Sequence, residues 1–79
     1  MFKRRLGLDP HANGASSASL SGCPDILELD SGDFAIIGVD ITSVAQDRLT
    51  FGASCGSDER IVQIPRSTLL RAKADIPNG

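Results

Sequence analysis

Residues 34–41, FAIIGVDI, would carry apolar side chains on both faces if they formed a strand. Side chains of a strand alternate between its faces, so Phe34 and Ile36 point one way while Ala35, Ile37 and Val39 point the other. Such a strand needs cover on both sides. A chain of 79 residues has little material for that cover, because a domain this small buries only about 60% of its unfolded surface. The sequence therefore favours association with another protein or with a second copy.

The composition indicates a small folded domain with an aliphatic core. Hydrophobic residues make up 41% of the chain, and the only aromatic residues are three phenylalanines. Charge is unevenly distributed, since residues 22–59 hold eight acidic residues and one basic residue, whereas residues 60–79 hold four basic and one acidic. Two interpretations are open: the acidic and basic parts neutralise each other across the folded surface, or the acidic hairpin faces a basic partner.

The N-terminal part of the chain has no secondary-structure pattern. Residues 8–22 are rich in Ser, Ala, Gly and Asn and show neither a strand nor a helix period. We therefore assign residues 1–22 to a disordered, flexible tail and residues 23–79 to a single small α+β domain.

The domain is predicted to contain three strands, over residues 26–30, 34–41 and 60–64, because apolar and polar residues alternate there. Residues 31–33 form the turn between the first two, with Gly32 free to adopt a positive φ. Gly38 interrupts the second strand, and a glycine in that position often marks a bulge or a close backbone approach. A short helical turn is predicted near residues 44–49.

The end of the domain is predicted to be helical. Pro65 ends the third strand because proline cannot donate to the ladder. A short helix over residues 68–74 follows, with Ser67 or Thr68 as its N-cap; a fourth strand is the alternative. The predicted fold is thus a three-stranded antiparallel sheet with one short C-terminal helix.

The helix can cover one face of the sheet through Leu69, Leu70 and Ala72. We expect the other face to contact a second copy, as a homodimer, or another protein. The candidate interaction surface comprises Phe34, Ile36 and Ile61.

The residues that commonly carry chemistry do not form a recognisable site. The only histidine, His11, lies in the predicted tail, where it cannot be held beside Cys55 as a general base. Cys23 and Cys55 do not belong to CxxC pairs, so a zinc site is not predicted. The carboxylates of residues 25–33 lack the spacing of a calcium loop and are interpreted as a solvated acidic face. We expect no enzymatic activity, no cofactor and no metal site.

Localisation follows from two further patterns. The basic start, Lys3-Arg4-Arg5, is not followed by the apolar run of a secretory signal. No segment approaches the roughly 20 apolar residues of a membrane span. We expect a cytoplasmic protein with reduced thiols and no membrane contact. A disulfide between Cys23 and Cys55 would need an oxidising compartment.

The sequence IVQIPRSTLLRAKADI, residues 61–76, resembles the strand, proline and short basic helix of AbrB-type swapped-hairpin antitoxins. That resemblance implies an intertwined dimer that contacts DNA through a basic set: Arg60, Arg66, Arg71 and Lys73. The acidic residues between 22 and 59 would face the phosphates and oppose binding, because phosphate contacts dominate DNA affinity. Direct nucleic-acid binding is therefore the alternative function.

A second resemblance covers residues 23–76 through CPDILELDSGDFAIIGVDIT and DERIVQIPRSTLLRAKADI. This layout of hairpin, third strand and helix near a proline is similar to short uncharacterised proteins of the Streptomyces type and to the actinobacterial BldB-like regulatory family. The resemblance implies a non-catalytic, self-associating accessory protein that pairs with a helix-turn-helix regulator. A regulatory protein-interaction module is the function we expect.

Overall fold

The computed structural model describes residues 1–7 and 23–79, and it confirms an α+β fold. In the described residues, a three-stranded antiparallel sheet of order β1-β2-β3 is formed by Phe2–Arg5, Asp25–Leu29 and Phe34–Ile37. A second sheet pairs β4, Val39–Asp40, with β5, Val62–Gln63. Helix α1 spans Thr42–Ala45 and helix α2 spans Arg66–Ala72; 3₁₀ turns follow them at Gln46–Arg48 and Lys73–Asp75.

The predicted hairpin forms β2 and β3. Its loop closes with two backbone hydrogen bonds: Gly32 N–H donates to the carbonyl of Leu29 at 2.9 Å, and Leu29 N–H donates to the carbonyl of Asp33 at 2.8 Å. Gly32 has a φ of +96°. This is the pattern of a three-residue hairpin loop that ends in a glycine bulge, so the glycine is required where the sequence predicted it.

Strand β1 is a correction to the sequence analysis, which placed Phe2–Arg5 in the tail. These residues pair antiparallel with β2, with Arg4 opposite Glu28 and Arg5 opposite Leu27, and the register shifts between Phe2 and Arg4. The sequence FKRR has no apolar alternation, so its strand conformation depends on the partner strand. The rest of the predicted tail, residues 8–22, lies outside the described residues.

Gly38 separates β3 from β4 and allows the close approach that its position predicted. A Cβ added there would lie 2.6 Å from the carbonyl oxygen of Gln63 and 2.9 Å from Cγ2 of Ile64. The predicted third strand consequently pairs with β4 in a separate sheet, with Val39 opposite Gln63. The three-stranded sheet is completed by β1 instead.

Helix α2 confirms the predicted helix in the C-terminal segment, and not the alternative of a fourth strand, although it begins two residues earlier than predicted. Pro65, with φ −61° and ψ 148°, precedes the first helical residue, and no side chain caps the helix. The predicted cap by Ser67 or Thr68 is therefore wrong. Pro65 supplies a backbone cap, because its carbonyl accepts the N–H of Thr68 at 3.0 Å. Among the described residues, no helix is long and apolar enough to cross a membrane.

The core lies between α2 and the three-stranded sheet. Three hydrophobic residues are buried in the described part of the chain, namely Leu6, Ile26 and Ala72, and Ile64 packs against them. Ala72 is fully inaccessible. Gly7, with φ +86°, lies so close to the helix that an added Cβ would be 3.0 Å from the carbonyl carbon of Arg71. Small residues thus bring the N-terminal segment against the helix backbone.

We predict that Gly38→Ala destabilises the fold by about 2 kcal/mol, because its methyl group would overlap backbone and cannot be accommodated without shifting β5. Urea denaturation measures the change in the free energy of unfolding. Gly56→Ala is the matched control, since its Cβ would meet only the flexible side chains of Asp58 and Glu59; it should cost less than about 0.5 kcal/mol. Equal losses in the two variants would contradict the close approach.

Candidate interaction surface

An apolar groove of about 210 Å³ lies between α2 and the sheet. Its sheet side is lined by Leu6, Ile26, Phe34 and Ile36, and its helix side by Leu69, Ala72 and Ile76. The helix residues share one face because they are spaced at three and four positions. Opposed strand residues likewise share a face, which places Ile36 beside Ile26. We refer to these seven residues as the apolar groove.

The groove is only partly filled. Phe34 is 45% exposed and Ile36 is 47% exposed, although both lie on the face that α2 covers. Leu69 and Ile76 are also exposed on the opposite wall. These side chains therefore present apolar surface to water between two secondary-structure elements, which is the arrangement typical of a docking groove.

The structure brings together two of the three residues predicted for the interaction surface. Phe34 and Ile36 both line the groove, but on the helix-covered face and not on the opposite face as predicted. Ile61 is not among the groove residues; it lies beside β5, where its carbonyl accepts the N–H of Ile41 at 2.9 Å. Leu70 is exposed and also outside the groove. Sequence reasoning missed Ile76 because it follows the helix and has no periodic partner after it.

An ion pair joins β1 to β2 on the sheet face that carries Phe34. Arg4 Nε lies 2.8 Å from Glu28 Oε1, and Glu28 is only 7% exposed. The same guanidinium donates through Nη2 to the carbonyl of Asp75 at 2.7 Å. Gly7 N–H donates to the Asp75 carboxylate at 2.7 Å. Arg4 and Asp75 therefore join the N-terminal strand to the end of the chain.

A second ion pair lies on the other face of the sheet, where Arg5 Nε contacts Asp25 Oδ2 at 2.8 Å. Asp25 is buried and also accepts the N–H of Ile26 at 3.0 Å. The interpretation of residues 25–33 as a solvated acidic face is therefore wrong for Asp25 and Glu28. A buried carboxylate is costly unless it is paired, so the basic start of the chain is part of the fold. Of the two interpretations of the charge pattern, internal neutralisation is confirmed for these residues.

The second sheet carries its own polar network around Asp40. Thr42 donates its hydroxyl to Asp40 Oδ1 at 2.6 Å and its N–H to the same oxygen at 3.0 Å, while accepting the N–H of Ile61 at 2.7 Å. The Thr42 hydroxyl, its N–H and the nearby Arg60 guanidinium hold the pKa of Asp40 below its ordinary value. The network joins α1 to the residues before β5.

The basic residues assigned to the DNA-binding alternative are divided between two elements. Arg60 precedes β5, lies 3.9 Å from Asp40 and donates to the carbonyl of Glu59. Arg66 and Arg71 belong to α2, and Lys73 follows it; all three are exposed. Arg66 and Lys73 are seven positions apart and share one side of the helical segment, whereas Arg71 points elsewhere.

The remaining candidates for chemistry are not assembled into a site in the described residues. No group of three or more His, Cys, Asp or Glu side chains there could hold a metal ion. Cys55 is half-buried and its thiol donates to the carbonyl of Glu59 at 3.4 Å. His11 lies outside the described residues. No family model, curated protein or solved structure matches the chain.

We predict that Arg4→Met destabilises the protein by about 2 kcal/mol, because it leaves the buried Glu28 carboxylate without its cation. Chemical denaturation measures the loss. The matched control is Lys3→Met, since Lys3 is exposed on the neighbouring position of the same strand; it should change stability by less than about 0.5 kcal/mol. Adding Glu28→Leu to Arg4→Met should recover most of the loss, and a further loss would contradict the assigned ion pair.

Proposed function

We propose that this protein is a non-catalytic, accessory regulatory module that works by protein association, either with a second copy or with a DNA-binding regulator. The observation that carries the proposal is the apolar groove, in which Phe34, Ile36, Leu69 and Ile76 are about half-exposed although the groove lies on the sheet face that α2 covers. The regulatory role and the helix-turn-helix partner come from the resemblance to the BldB-like layout.

The size of the core supports association. Few hydrophobic side chains are buried in the described residues, while larger ones such as Phe34, Ile36 and Leu69 remain about half-exposed. Covering the exposed halves of four such side chains contributes roughly 4 kcal/mol per copy before ordering costs. That is sufficient for weak, concentration-dependent association, which suits a regulatory contact.

We expect Ile36→Asp to weaken association, because it places a carboxylate inside the groove that the partner would cover. Light scattering across a concentration series measures the mass of the purified protein. The dissociation constant of the Ile36→Asp dimer should be at least about tenfold higher than that of the wild-type dimer, which corresponds to about 1.4 kcal/mol. The same variant should lose binding to a helix-turn-helix regulator that the wild type binds.

Val44→Asp is the control for added charge. Val44 is exposed on α1 and lies outside the groove, so this variant should keep the wild-type mass and partner affinity. Circular dichroism should show that both variants remain folded. If Ile36→Asp and Val44→Asp both leave association unchanged, the groove is not the docking surface.

Direct DNA binding is the second candidate, favoured by the exposure of Arg66, Arg71 and Lys73 on and beside α2. If the protein binds DNA through this segment, its affinity should fall steeply with salt and should be lost in Arg66→Ala/Arg71→Ala. Fluorescence anisotropy with a labelled duplex at several salt concentrations measures this. Arg48→Ala, on the 3₁₀ turn after α1, is the matched control and should bind as the wild type does. Absence of binding at low salt would eliminate this candidate.

A further inference from the structure

The three-stranded sheet has two edges of opposite character in the described residues. The outer edge of β1 carries Lys3, Arg4 and Arg5 and is interrupted by a register shift. Like charges and irregular pairing are features that oppose strand addition. The opposite edge of the sheet is β3, whose sequence Phe-Ala-Ile-Ile has no charge, no proline and no glycine. Only β3 is therefore suited to pair with an identical strand.

The hairpin hydrogen bonds determine which groups point outward along β3. Leu29 N–H bonds to the carbonyl of Asp33, so residues 29 and 33 form a hydrogen-bonded pair. Such pairs alternate along an antiparallel ladder, so Ala35 and Ile37 direct their backbone groups toward β2. The N–H and carbonyl groups of Phe34 and Ile36 consequently point to the open edge, where the described residues provide no partner.

We propose that β3 pairs antiparallel with β3 of a second copy, about a two-fold axis that passes beside Ala35. This inference rests on the proposed association and names its partner and register. The axis places Ala35 opposite Ala35 of the second copy, as a non-hydrogen-bonded pair. Phe34 then lies opposite Ile36 of the second copy, and Ile36 lies opposite its Phe34, as hydrogen-bonded pairs. All four outward-pointing groups of each strand are then hydrogen-bonded, and the two sheets become one six-stranded sheet.

The same register also satisfies the side chains. Phe34 and Ile36 lie on the groove face, so each copy adds an aromatic and a β-branched residue beside the groove of the other. The Asp33 carboxylates of the two copies lie four residue positions apart along the new pair, on the order of 13 Å. Pairing therefore brings no like charges into direct opposition within β3.

The available area fits a second copy. The half-exposed side chains at and beside this edge are Phe34, Ile36, Ile37, Leu69 and Ile76. With the strand backbone, they offer on the order of 500 Å² per copy, which reaches the roughly 1,000 Å² of total buried surface expected of a small specific interface. A two-fold contact is isologous, so the apolar groove edge meets an identical apolar edge.

Ala35→Cys tests the register directly. In a non-hydrogen-bonded antiparallel pair the two Cα atoms are about 4.5 Å apart, which lies within the range that a disulfide can bridge. Oxidised glutathione should therefore link two Ala35→Cys chains through position 35. The matched control is Ile37→Cys on the same face, whose two copies would be on the order of 13 Å apart and beyond disulfide reach. Linking should be at least about tenfold slower in the control.

Cleavage after Asp33 and Asp40 places positions 35 and 37 in a peptide that contains neither Cys23 nor Cys55. Mass spectrometry of that peptide identifies the 35–35 link, and light scattering of the wild type is measured in parallel. A 35–35 link with a wild-type dimer supports the proposal. A wild-type dimer in which position 35 does not link, or links no faster than position 37, overturns the edge pairing and leaves the proposed function intact. A wild-type monomer overturns the edge pairing as well, and if it also binds no regulator the proposed function fails separately.

Discussion

The fold depends on the contact among Leu6, Ile26 and Ala72, which are the residue after β1, the second residue of β2 and the last residue of α2. This contact is the only place where a buried side chain from each segment meets the others in the described structure. It can form because Gly7 and Ala72 are small, so that the N-terminal segment packs directly against the helix backbone. With so few buried apolar groups, the domain relies on additional polar contacts to keep β1 in place.

Those polar contacts pair basic residues near the N-terminus with acidic residues of the hairpin. Arg4 and Arg5 neutralise Glu28 and Asp25 on opposite faces of the sheet, and Arg4 also bonds to the end of the chain. Much of the acidic hairpin is therefore occupied within the fold and is less available to a basic partner. Apart from the basic edge strand β1, the sheet presents apolar surface at the half-filled groove and at the uncharged edge of β3.

Several local features could be predicted from the sequence because they depend on neighbours in the chain. The β2–β3 hairpin follows from alternation around Gly32, the break at Gly38 from a glycine inside a strand, and α2 from helix propensity after Pro65. Strand β1 could not be predicted in this way, because FKRR has no strand pattern of its own. The sequence feature that points to β1 is that its arginines complement the acidic residues of β2. This complementarity predicts a strand only once the pairing of the two segments is known. The helix start was missed because Pro65 caps through its backbone and not through a side chain.

The sequence by itself determined the β2–β3 hairpin, its turn glycine, the break at Gly38 and the C-terminal helix, since these depend on residue identity and short-range spacing. Tertiary structure alone decided which strand completed the three-stranded sheet. It also decided that the helix covers the sheet face that carries Phe34 and Ile36. It also decided that Asp25 and Glu28 are buried with arginines and not solvated. The physical reason is that strand pairing and ion pairing join residues far apart in the chain, and an alternating pattern defines two faces without specifying what covers either one.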